Sequence, residues 1–220
     1  MVAQGFLTHT NFQSTKHLKA KGYHCPVAIH YDDLPENVTV KELFGTMRKD
    51  DVIAHVFQKK AETIFDENGK IKDCVWDAKK RGVYMDDCHG RVHWSYPNLQ
   101  NAFSQSFYPD IISSDLVRVS EYTRPGFSLL YAMSVNSAAG MPTEKILQSV
   151  TYTPAKSLGI EEKAGVIREG APADVAILDI RDVKDKTFTD NYGNSISGNK
   201  LFVPLMTVKG GRTAYRQIFF

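Results

Sequence analysis

Residues 26–57 read PVAIHYDDLPENVTVKELFGTMRKDDVIAHVF, in which two short apolar runs flank an amphipathic segment. The runs at 26–30 and 51–57 are apolar almost throughout, as expected for parallel strands that are covered on both faces. Between them, apolar residues recur at i, i+3, i+4 and i+7 and so lie on one helical face: Val40, Leu43, Phe44 and Met47. This order predicts a strand–helix–strand unit within a parallel sheet.

The same alternation continues downstream. Residues 71–78 repeat the helical spacing, and Arg81 and Gly82 follow as a cation and a glycine typical of a helix C-terminus. Further strands are predicted at 83–87 and 110–115, and further helices at 99–106, 126–139 and 143–158. Pro154 is expected to break the last of these helices in two.

The pattern changes after about residue 160. Short strands separated by Gly, Asn and Asp are predicted at 165–167, 173–178, 201–203 and 206–216. The glycine pair at 210–211 predicts a hairpin turn. We therefore predict an α/β chain with a βα-repeat domain over 1–160 and a small β domain over 161–220.

Composition indicates which partners the chain lacks. The chain has 220 residues and a formal net charge of +2 without a clustered basic stripe, which predicts no nucleic-acid partner. Its apolar runs are shorter than the ~18 residues that a membrane helix needs, and the N-terminus lacks a secretory leader pattern. Three widely spaced cysteines without a C-x-x-C pair predict reduced thiols rather than a disulfide framework. We expect a cytoplasmic protein without a membrane partner.

Several common enzyme signatures are missing from the sequence. It contains no G-x-G-x-x-G after a strand and no G-x-x-x-x-G-K-[ST], so dinucleotide and P-loop sites lose support. It also contains neither H-E-x-x-H nor G-x-S-x-G. Zincin and serine-hydrolase chemistry is therefore not expected.

Residues that carry chemistry stand at the ends of successive predicted strands. His30 ends the first, His55 lies near the end of the second, His89 follows the third and Asp115 ends the fourth, at spacings of 25, 34 and 26 residues. Each spacing is about one βα unit, or ~30 residues, so these side chains should meet at one edge of the sheet. A single histidine there is more often structural, but two histidines with an aspartate predict a divalent metal site. His93, in the same loop as His89, could face substrate or solvent.

At these residues the sequence resembles the amidohydrolase superfamily of metal-dependent hydrolases, in its dihydroorotase-like and deacetylase branch. The resemblance is carried by the segments 27–30 with 51–57, 81–90 and 109–116. Residues 150–174 resemble the family's passage from the last barrel helix to its β-sandwich. The resemblance implies a partial (β/α)8 TIM barrel, about its last four βα units, followed by a small β-sandwich-type segment.

The resemblance also implies roles for individual residues. His30 and His55 would bind the more exposed metal of a binuclear site. Asp115 would bind the other metal and take the proton of the bridging water as the catalytic residue. His89 and Gly90 would contact a small-molecule substrate with an amide, ester or cyclic amide bond. Zinc is the implied metal, and manganese or iron would also suit these ligands.

The front of the chain departs from this resemblance. Complete family members carry a His-x-His pair on their first strand and a carboxylated lysine on their fourth, and neither is found here. Only about 160 residues precede the β domain, whereas a barrel takes ~250. One interpretation is the C-terminal half of a metallohydrolase. Another is an inactive remnant that acts only with a partner chain, or self-associates, through unclosed barrel edges. A third is a mononuclear site of His30, His55 and Asp115.

Overall fold

A parallel sheet forms the first layer of the computed structural model, which describes residues 3–6, 26–32, 34, 37–60, 62–90, 92–118, 120 and 128–218. Its four strands are paired in chain order: β1 (Ala3–Phe6), β2 (Val27–His30), β3 (Val52–Ala54) and β4 (Tyr84–Asp86). Every neighbouring pair is parallel. The α/β class and the parallel pairing predicted for 26–57 are thus confirmed.

The helices that accompany the sheet are short: α1 (Val40–Thr46), α2 (Asp73–Lys80), α3 (Tyr96–Ser104), α4 (Leu129–Ala138), α5 (Thr143–Val150) and α6 (Tyr152–Ser157). A capping box begins α1, in which Thr39 accepts from the backbone of Glu42 and the Glu42 side chain accepts from that of Thr39. Its predicted apolar face is buried. In the described part of the chain, no helix is long and apolar enough to cross a membrane.

A three-stranded antiparallel sheet forms the second layer: β5 (Val175–Thr189), β6 (Ser195–Lys209) and β7 (Arg212–Arg216), in that order. Gly210 and Gly211 connect the last two strands with φ of 55° and 75°, a backbone that favours glycine. The predicted hairpin turn is confirmed. The strands are longer than predicted, and residues 165–167 form no strand.

Two further features of the parallel sheet differ from what the sequence predicts. The strand β1 was not predicted. The strand expected at 110–115 is reduced to one parallel bridge between Ile111 and Asp86. The helix predicted at 143–158 is broken in two as expected, with the break at Thr151, where φ is −129° and ψ is −84°. Pro154 lies in the first turn of α6, where its missing N–H is not needed. The start predicted at residue 126 for α4 lies outside the described residues.

The two layers share one apolar core. Strand β6 approaches α4 so closely that a Cβ on Gly198 would lie 2.6 Å from Cβ of Ala138. The backbone N–H of Phe202 donates to Ser134 Oγ at 3.1 Å, which fixes this approach. Asp190, after β5, accepts from the N–H of Tyr96 in α3 at 3.0 Å. The hairpin is therefore held against the helices of the first layer, while the domain boundary near residue 160 stays a prediction.

Candidate metal centre

The candidate site lies where the parallel strands end. His30 is the last residue of β2 and His55 follows β3 directly. Their rings meet edge to face, with His30 Nδ1 2.9 Å from His55 Nε2. Asp115 lies near His55 and Cys88, and one donor atom from each of these three is within 4.8 Å of the others. The structure thus places both His30 and Asp115 near His55. The individual roles of the three residues stay predictions.

The tautomer of His55 follows from its contacts. Its Nδ1 lies 2.6 Å from the carbonyl oxygen of Cys88, which can only accept, so Nδ1 carries the proton and donates it. The lone pair is therefore on Nε2, the nitrogen that faces His30. Burial, together with His30 and His93, lowers the pKa of His55 to about 3. A neutral imidazole oriented by a carbonyl is the form that binds metals.

Three of the six non-glycine residues with positive φ in the described part of the chain lie at this edge of the sheet. His55, Cys88 and Asp115 have φ of 65°, 37° and 47°, a left-handed conformation unusual for residues other than glycine. Such conformations are unfavourable and persist where surrounding contacts enforce them, often at functional sites. Gly90 also has a positive φ, and a Cβ there would lie 2.5 Å from Asp115 Oδ2. The carboxylate of Asp115 therefore rests on the backbone of Gly90.

His89 is placed inside the core. Its ring is fully buried and packs edge to face on Trp94, with ring centroids 4.3 Å apart. Neither ring nitrogen has a hydrogen-bond partner among the described residues. Burial lowers the pKa of His89 to about 4, so the ring is neutral at pH 7. The substrate-binding roles of His89 and Gly90 stay predictions.

Two residues of the site, His93 and Asp32, were not predicted as members. The ring centroid of His93 lies 4.4 Å from that of His55 and 4.9 Å from that of His30. Asp32 Oδ1 is 2.9 Å from His93 Nδ1, and Asp32 Oδ2 is 3.8 Å from His30 Nε2. Asp32 lies two residues beyond the end of β2, so strand alternation gave no signal for it.

Two buried carboxyl groups support the loop after β4. Ser113 Oγ donates to Asp86, at 3.0 Å from Oδ1 and 2.8 Å from Oδ2, and the N–H of Cys88 donates to Oδ1. Asp87 accepts from Asn136 Nδ2 at 2.7 Å. Burial raises the pKa of Asp86 to about 7 and that of Asp87 to about 8. Asp86 thus connects the Cys88 turn, which orients His55, to the segment that leads to Asp115.

The donor set fits a divalent transition metal. Imidazole nitrogens and a carboxylate are preferred zinc ligands, with Zn–N distances of about 2.0–2.1 Å. A tetrahedral ion spaces its ligand atoms roughly 3.3 Å apart, close to the 2.9 Å between the facing nitrogens of His30 and His55. This histidine cluster could hold a metal after small side-chain movements.

Comparison with known proteins agrees with this arrangement. The sequence model of the Amidohydrolase family matches residues 18–214. The chain belongs to the amidohydrolase family. Amidohydrolases are typically metal-dependent, which matches a histidine cluster at the strand ends.

The chain is similar to a protein named deacetylase from Enterococcus faecalis, with 27% identity over 92% of this chain and 54% of the relative. It spans about half the length of the curated relatives it matches. Among solved structures, its fold is similar to that of an adenine deaminase, with TM-score 0.86, 24% identity, and coverage of 98% of this chain and 59% of that one. A dihydroorotase structure matches with TM-score 0.78 and 23% identity, over 97% of this chain and 56% of that one.

Proposed function

We propose that this amidohydrolase-family chain forms part of the active site of a metal-dependent hydrolase, in the last βα units of a (β/α)8 barrel. The observation that carries the proposal is the His30–His55 pair. The two histidines end adjacent parallel strands, their facing nitrogens are 2.9 Å apart, and the proton of His55 is held by Cys88 O on the opposite side of the ring. Histidines in this arrangement at strand ends are suited to a metal.

In this proposal His30 and His55 hold a divalent cation, with zinc the most suitable and manganese or iron alternatives. A bound cation of this kind lowers the pKa of a water molecule towards ~7 and so supplies a nucleophile at neutral pH. Asp115 accepts the proton of that water and returns it to the leaving group, and it would also bind the second metal of a binuclear site. Burial raises the pKa of Asp115, which makes it a stronger base than an exposed aspartate.

The substrate we propose is a small molecule with an amide, ester or cyclic amide bond. Deacylation is favoured, because a relative named deacetylase aligns over 92% of this chain. The product of the attack is then a carboxylic acid and a free amine or alcohol. His89 and Gly90 would contact the substrate beside Asp115. Because the chain spans about half of its relatives, a partner chain that supplies further ligands is the alternative.

The test is metal content and hydrolysis by the purified 220-residue chain. We expect roughly one zinc ion per chain by elemental analysis, lost in His55→Ala. Cys74→Ser is the matched control, because this part-exposed free thiol of α2 could bind zinc but lies outside the proposed site, so the variant should keep the zinc. The loaded chain is then assayed on N-acetyl, ester and cyclic amide substrates. Zinc bound equally by His55→Ala would contradict the proposal, and zinc without hydrolysis would favour the partner-chain alternative.

A further inference from the structure

Neither the family resemblance nor the proposed function assigns a role to His93. It follows β4 by a short loop, and its side chain is largely buried, with 13% exposed. One ring nitrogen of each of His30, His55 and His93 lies within 4.8 Å of the other two. The three rings therefore lie close enough together for one ion to contact all three.

Asp32 lies beside two of these rings, those of His30 and His93. Its Oδ1 lies 2.9 Å from His93 Nδ1 and its Oδ2 lies 3.8 Å from His30 Nε2, so one carboxylate oxygen faces each histidine. Lys60 Nζ donates to Oδ2 at 3.0 Å and holds the carboxylate in place. A carboxylate on one nitrogen of a histidine orients the ring and leaves the other nitrogen for a metal.

The positions of the ring protons on His55 and His30 are also compatible with metal binding by the histidines. His55 Nε2 has the lone pair, so in the metal-free chain His30 Nδ1–H must be the donor in the 2.9 Å contact between them. If His30 were to hold a metal through Nδ1, its proton would have to be on Nε2, the nitrogen on the side of Asp32. The change is a shift of tautomer, and no net proton has to leave the histidine.

We propose that His30, His55 and His93 form a three-histidine metal site, with Asp32 as the residue that positions His93 and His30. This inference deepens the proposed function and rests on the metal binding proposed there. Three neutral imidazoles plus an open position for water are a known form of catalytic zinc site. From at most 4.8 Å apart, the nitrogens would have to approach by no more than about 1.5 Å to reach tetrahedral spacing.

His93 is better placed than Asp115 for this first ion. The donor atoms of His93 group with those of both His30 and His55, whereas Asp115 groups with His55 and Cys88. Asp115 is then left as the base, or as a ligand to a second ion. These different roles predict that substitution of His93 weakens binding of the first zinc ion, whereas substitution of Asp115 does not.

The experiment measures zinc affinity of the metal-free 220-residue chain by competition with a chromophoric chelator. We expect His93→Ala and His93→Gln to weaken the first zinc equivalent by at least about 100-fold, and Asp32→Asn by the 10–100-fold of an outer-shell partner. Asp115→Asn should leave the affinity for the first zinc equivalent within about threefold, and Cys74→Ser, at a free thiol of α2 outside the cluster, is the control. The visible spectrum of bound Co2+ should change with His93→Gln and not with Asp115→Asn. Circular dichroism checks that each variant is folded.

The outcomes separate this inference from the proposed function. Wild-type affinity in both His93 variants, or loss in Asp115→Asn equal to that in His55→Ala, would overturn the three-histidine site and leave the hydrolase proposal standing. If His55→Ala also retained zinc, both proposals would fail. Weaker zinc binding in both His93 variants with Asp115→Asn unchanged would support His93 as a ligand.

Discussion

Substitution of Gly90 by alanine tests how tightly the candidate site is built. Gly90 has φ of 48°, and an added Cβ would lie 2.5 Å from Asp115 Oδ2. Gly159 also has a positive φ, of 66°, but nothing lies within 4 Å of its added Cβ. Both alanine variants therefore have a left-handed backbone, and only Gly90→Ala adds a collision with a carboxylate.

The expected loss of unfolding free energy is the sum of these two contributions. The left-handed backbone costs about 1–2 kcal/mol for an alanine, in both variants. Displacing Asp115 adds the cost of overpacking, about 1–3 kcal/mol, in Gly90→Ala alone. Urea unfolding of the 220-residue chain should thus give a larger loss of unfolding free energy for Gly90→Ala than for Gly159→Ala.

A double-mutant cycle isolates the contact. In an Asp115→Ala background the clashing oxygen is gone, and the nearest remaining side-chain atom, Cβ of Asp115, is an ordinary 3.4 Å away. The excess cost of Gly90→Ala should disappear there, as a coupling of about 1–3 kcal/mol. Equal losses for Gly90→Ala and Gly159→Ala, or an unchanged excess in the Asp115→Ala background, would refute the placement of Asp115 on Gly90.

Three further predictions concern the supporting structure. Burial raises the pKa of Asp87 from 3.8 to about 8, so between these pH values the folded chain binds a proton that the unfolded chain has lost. The unfolding free energy of the wild type should therefore fall as pH rises through this interval. In Asp87→Asn this fall should be smaller by up to a few kcal/mol, as measured by urea titrations at pH 5 and pH 8.5. Thr39→Ala removes the capping box of α1 and should cost about 1 kcal/mol, whereas an unchanged urea midpoint would contradict the cap. Phe107→Ala deletes a fully buried ring packed edge to face on Trp76 and should cost about 3–5 kcal/mol, and a loss under 1 kcal/mol would contradict this packing.

The sheet could be predicted where burial determines the pattern. Strands β2 and β3 bury alternate apolar residues, Val27, Ile29 and Ile53, in the core, and α1 shows its buried face in its spacing. Strand β1 contains Gln4 and Gly5, and it is defined by its parallel pairing with β2, a long-range contact that local sequence does not encode. At 110–115 the backbone accepts hydrogen bonds from Asp87 N–H at Ile111 O and from His89 N–H at Ser113 O, but the left-handed Cys88 lies between these two donors and no regular strand forms.

The site could be predicted only in part, for a similar reason. Because parallel strands end at a common edge, the positions of His30 and His55 along the sequence were enough to place them together. His93 joins them through the path of a loop, and loop conformation depends on contacts such as that between Asp32 and His93. The length of β5 and β6 was also underestimated, since the irregular register near Ile177 and Asp182 interrupts the alternation that marks a strand.

A single row of the sheet explains why these residues meet. The pairings Phe6–His30, His30–Ala54 and Ala54–Asp86 place one residue from each strand side by side across the sheet, and the bridge from Asp86 to Ile111 continues that row. Neighbouring strands are about 4.8 Å apart, so a ligand on one strand and a ligand just beyond the end of the next are within reach of one ion.

The histidine cluster is therefore built from adjacent strands and the loops that follow them. His30 lies in the row itself, His55 comes one residue after it, and the loop beyond Asp86 returns His93 to the same point. Backbone hydrogen bonds within this chain set that spacing, so formation of the three-histidine site depends on β2, β3 and β4. Zinc binding that required added protein to assemble the histidines would contradict this dependence.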